Sequence, residues 1–138
     1  MGAMMTGPHH VLAMAYRDNL ATFARALRGQ VTQSKTVTPD LAQPAVAEMR
    51  RSFDQMREHH DAQVKMMGDH MPPSMSATMQ HMETHLAALG EHLTALETEV
   101  NASAPDAMKV ADHATQILKQ CADMSMMPGS AKAHQMKP

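Results

Sequence analysis

Residues 75–100, MSATMQHMETHLAALGEHLTALETEV, decide the fold, because Met75, Met79, Met82, Leu86, Leu89, Leu93, Leu96 and Val100 recur at alternating steps of four and three. That rhythm keeps one apolar stripe on one face of a helix for more than three heptads. Ser74, after Pro72 and Pro73, is the candidate N-cap, and the run Asn101 to Pro105 ends the segment. The pattern predicts one long helix that has to bury its stripe against partners.

Working outward, Val46, Met49, Phe53, Met56, His60, Val64 and Met67 keep the same rhythm and stop at Gly68 and Pro72. Pro44 reads as a first-turn residue of this second helix, with Pro39-Asp40-Leu41 as a separate turn before it, since an interior proline loses a backbone hydrogen bond. A first helix is expected from about His9 to Ser34, with Leu12, Tyr16, Leu20, Phe23, Leu27 and Val31 facing inward. A fourth is expected from Pro105 to Cys121, with Ser103 and Asp106 resembling a capping box. Four amphipathic helices with short connections predict an all-α, up-down-up-down antiparallel four-helix bundle over residues 1–123. The broken, polar run 124–138 is expected to be a flexible tail carrying Met and His.

Composition then points to chemistry. The 138 residues include 17 Met and 10 His but one Tyr, two Phe and no Trp. Thioethers are soft ligands without a proton to lose, and with imidazole they suit Cu(I) or Ag(I), whereas Met also fills cores in place of Leu and Phe. Position separates the two uses. Residues 1–14, 56–85 and 121–138 hold 15 of the 17 Met and 8 of the 10 His, and an antiparallel bundle brings those segments to one pole. Core filling alone has no reason to prefer one end.

Helical neighbours at i, i+3 and i+4 share a face, and so can share an ion. The second helix offers Met56 with His59 and His60, then Met66 and Met67 with His70, and Met71 follows in the turn. The third offers Met75, Met79 and Met82 on the seam, with His81 and His85 one turn apart beside it. The seam residues serve equally as packing. His70, Met67 and Met71 surround a Gly/Pro turn, where long apolar side chains gain little from packing, and read better as ligands. His9, His10 and Met14 could close the site from the first helix. Cys121, the single cysteine, excludes an internal disulfide and reads as a small buried hydrophobe unless its thiolate forms.

The run Phe53-Asp-Gln-Met56-Arg-Glu-His59-His60-Asp-Ala-Gln-Val64-Lys-Met66 resembles the M-x-x-H-H-x-x-A-V-x-M helix of Met/His-rich helical bundles among bacterial periplasmic copper-resistance proteins. The resemblance covers residues 53–66, with Gln63 in place of the usual Ala. It implies Met56, His59, His60 and Met66 as metal ligands and Val64 as core. It also implies sequestration or transfer of copper outside the cytoplasm, in the periplasm or after export. The opening Met1-Gly2-Ala3-Met4-Met5 carries neither the basic nor the apolar segment of an export signal, so it is the resemblance alone that implies export of a natural precursor.

Other classes find less support. A net charge of −2 with scattered Lys and Arg leaves no nucleic-acid footprint, and no apolar run approaches the length of a membrane span. E-x-x-H, H-E-x-x-H, Gly-rich phosphate loops and G-x-S-x-G are all missing, which leaves no enzyme signature. The leading expectation is a bundle that binds Cu(I) or Ag(I), with Cu(II) a further option, for tolerance, storage or transfer to another copper-handling protein. The alternatives are a haem bundle with Met/His axial ligands and a Met-rich interaction module without metal.

Overall fold

The computed structural model describes residues 8–68 and 71–125, which form four α-helices and no strand. They are α1 (Pro8–Ser34), α2 (Pro39–Met67), α3 (Pro73–Val100) and α4 (Ala107–Ser125). Local chemistry sets their ends. After α1 the chain turns at Lys35, whose φ of 61° is left-handed, and the Lys35 amide donates to Val31 carbonyl at 2.8 Å. Extended Thr38 precedes α2, and its carbonyl accepts the Leu41 and Ala42 amides. Gly68 closes α2 at a φ of 53°, a conformation glycine adopts without a Cβ penalty.

Four boundaries differ from the sequence reading. Pro39 to Leu41 is no separate turn: α2 runs through Pro44, which lies on the exposed face, where solvent can take up the carbonyl its ring leaves unbonded. Ser74 is not the N-cap of α3. Pro72 is, with its carbonyl accepting the Ser76 amide at 2.9 Å, while Ser74 lies in the first turn. Helix α4 starts two residues after Pro105, capped by Asp106 Oδ1, which accepts the amides of Met108 at 2.9 Å and Lys109 at 3.3 Å. It also runs past Cys121 to Ser125, so Met124 belongs to the bundle, fully buried, rather than to the tail. Residues 126–138 lie outside the described residues, and with them the rest of the expected tail.

Side-chain pairs fix the antiparallel order. Asn19 of α1 donates to Ser52 Oγ on α2 at 2.8 Å, and Arg50 of α2 makes a two-pronged ion pair with Glu97 near the end of α3, at 2.7 and 3.0 Å. His85 of α3 meets Gln120 of α4, and the Glu99 carboxylate accepts the Asp106 amide at 2.8 Å. Helices α1 and α4 also pack together, which closes the ring of neighbours. Among the described residues no helix is long and apolar enough to cross a membrane.

The core is Leu and Met, with little aromatic content: Leu20, Met49, Met56, Leu89, Leu93, Leu96, Ile117 and Met124 are all fully buried. Every residue of the 75–100 stripe is buried, as its rhythm predicts. On α1 the inward face is centred on Ala13, Leu20, Ala24, Leu27 and Val31, and Leu12 is exposed. The small Ala13 and Ala24 take the interior positions, while Tyr16 and Phe23 pack at the margin. Gly90 serves a close approach, because a Cβ there would lie 3.0 Å from the Phe53 ring.

Candidate metal centre

The antiparallel order places the start of α1, the end of α2, the start of α3 and the end of α4 at one pole. There the four helices enclose a cavity of about 10 Å³, the space of a single water or ion. Helix α1 lines it with His10 and Met14, α2 with Met56, His60 and Gln63, α3 with Met79 and Met82, and α4 with Met124. Within each helix the lining residues stand three or four apart, so each helix presents one face to the space. Every helix thus contributes a thioether, five in all, beside two imidazoles and no carboxylate.

Burial shapes the two imidazoles. His60 is 6% exposed, and desolvation of the charged ring pushes its pKa below the ordinary histidine value, despite the opposing pull of Glu83 and Asp61. Burial lowers His10 as well, helped by Arg17 and His60. Both rings are therefore held neutral, the state in which a ring nitrogen can bind a metal. His60 Nε2 is buried and makes no hydrogen bond. Glu83 Oε2 stands 3.7 Å from it, beyond hydrogen-bonding reach. Buried polar atoms in this condition are rare and call for a reason.

Adjacent residues of the expected ligand set diverge. Met56, His60, Met79 and Met82 line the cavity. Met67 and Met75 join Met79 in a second buried cluster, against which Val64 and Met71 pack, so Met79 belongs to both groups of sulfurs. Met66, one position before Met67, is 67% exposed and stands apart from both. His59 turns away from His60 toward α1, where its Nδ1 lies 3.0 Å from His9 Nδ1 and Tyr16 stacks on its ring. His81 and His85 occupy another face of α3. Their rings meet edge to face at 4.4 Å, His85 Nδ1–H donates to Gln120 Oε1 at 2.6 Å, and His81 Nε2 is buried without a hydrogen bond. His70 lies outside the described residues. Of the lining, Met124 falls in the run 124–138 that reads as a tail, while His10 and Met14 stand one helical turn apart.

Among the described residues no three His, Cys, Asp or Glu side chains converge as around one metal ion. The cavity is lined instead mainly by thioethers, with two imidazoles beside them. Cys121 is buried in the core, where desolvation pushes its thiol up to about 12, so no thiolate is at hand. The chain matches no protein-family profile, no curated protein and no solved structure.

Proposed function

We propose that this protein binds Cu(I) or Ag(I) in the thioether-lined cavity of its Met/His pole, as a store or carrier rather than a catalyst. One observation carries the reading: a space sized for one ion, lined by thioethers from all four helices and by two imidazoles held neutral. Soft, uncharged donors favour a soft monovalent ion over Zn(II), Ca(II) or Mg(II), which seek thiolate, imidazole or oxygen. Thioether sites are of most use where cellular thiols do not compete for copper, which favours the periplasm or another exported location. Met79 links the cavity to the Met67 and Met75 cluster near the α2–α3 turn, a sulfur-lined route suited to passing the ion to another copper-handling protein. The cavity's size favours an ion over a haem macrocycle, which needs a pocket of several hundred Å³.

Anaerobic titration with Cu(I) against a competing chelator tests the reading. Tight binding without a Soret band is the expected result. Loss of the ion to a weak chelator overturns it.

A further inference from the structure

Part of the cavity wall also faces outward. His60 and Leu86 line both the enclosed cavity and a groove of about 320 Å³ on the outside of the bundle, where α2 and α3 run side by side. That seam is the loosest in the fold, since α2 and α3 pack less closely than any other neighbouring pair. Arg57, Asp61, Glu83 and Ala87 form the rest of the groove. Its rim thus carries two carboxylates against one guanidinium, and Glu83 and Asp61 act on the His60 ring more strongly than Arg57 does. His60 Nε2 is buried and unbonded, with Glu83 Oε2 standing 3.7 Å away on the groove side. A leucine would seal this wall without the cost of an unsatisfied buried nitrogen. The imidazole instead sets a donor atom between an acidic mouth and a chamber of thioethers, and no hydrogen bond at Nε2 has to break for the ring to turn aside.

We propose that the α2–α3 groove is the portal of the cavity, through which a cation gathered by Glu83 and Asp61 enters when the His60 ring swings out of the wall. The portal rests on the reading above that the cavity holds Cu(I) or Ag(I), and it supplies the way in. A cleft lined by one sign of charge concentrates the opposite ion at its mouth. Carboxylate oxygens hold a soft ion weakly, so the rim attracts it without retaining it, and the thioethers inside keep it. His10 and Met14, half-buried on α1, are the other thin part of the wall, but there the nearby charge acting on His10 is that of Arg17, which repels an incoming cation.

Two measurements on the whole protein test this: mapping of methionine oxidation by hydrogen peroxide in the metal-free state, and anaerobic stopped-flow loading with Cu(I). Met49, buried like Met56, does not line the cavity, so its oxidation reports global opening alone. In the wild type Met56 and Met82 should oxidise faster than Met49. Ala87→Trp, which fills the groove from an exposed position, should remove that advantage and slow Cu(I) loading and release together, leaving the equilibrium affinity unchanged. Glu83→Gln combined with Asp61→Asn should slow loading by about tenfold at low salt, with the difference fading at high salt. Unaltered oxidation of Met56 and Met82 in Ala87→Trp overturns the portal, as does unaltered loading in the double variant. Equilibrium Cu(I) competition on the wild type reads the cavity itself, so absent binding defeats the reading of the site while the oxidation map still decides the portal.

Discussion

Replacing Met56 by Leu separates sulfur from packing. Met56 is 1% exposed and lines the cavity, and Leu nearly conserves its volume, so the exchange costs under about 1.5 kcal/mol. For a bundle of this size that lowers the melting temperature by roughly 4–8 °C at most. The thioether, however, is gone. If it is one of the ion's bonds, Cu(I) affinity should fall at least about tenfold, or about 1.4 kcal/mol. Met49→Leu is the matched control, because Met49 is 0% exposed on the same helix and does not line the cavity. Thermal melts and anaerobic chelator competition on both variants give the comparison. Similar melts with Cu(I) binding weakened only in Met56→Leu is the expected outcome, and equal weakening in both refutes a localised site.

Three further outcomes follow from the same geometry. His10 and His60 are depressed below the ordinary histidine pKa near 6.5, so below that pH the unfolded chain takes up protons the folded one refuses. Metal-free stability should be full above neutrality and fall as pH drops through about 6.5 and below. His60→Gln should flatten that decline in urea unfolding, and an unchanged slope counts against the burial of His60. Asn19→Ala strips the donor from Ser52, which is 0% exposed, and should cost about 1–2 kcal/mol by urea unfolding, most of it recovered when Ser52 is also changed to Ala. Cys121, with its thiol pushed up to about 12, should resist thiol reagents at pH 8 until the protein is unfolded, and rapid labelling of the folded protein contradicts its placement in the core.

The helices were legible because their burial is periodic, and the clearest, 75–100, is buried at each expected position. Ends and phases were harder. Pro44 argues locally for a break, yet its exposed position lets α2 continue. Leu12 outranks Ala13 in hydrophobicity, but close packing of α1 prefers the smaller residue inside. The inward stripe of α2 already separates neighbours: Met56, His60, Gln63 and Met67 are buried, whereas Met66 stands out of phase with them. His10, Met14 and Met124 line the cavity from distant parts of the chain, and such convergence is a tertiary fact that spacing within one helix does not carry.

The most direct test of the central claim is a crystal structure of the protein soaked with Ag(I) under non-reducing, thiol-free conditions, read by its anomalous scattering. The strongest silver peak is expected inside the Met-lined cavity, among Met56, Met82, Met124 and His60. Silver found only at exposed sulfurs such as Met66 and Met108, with the cavity empty, contradicts it.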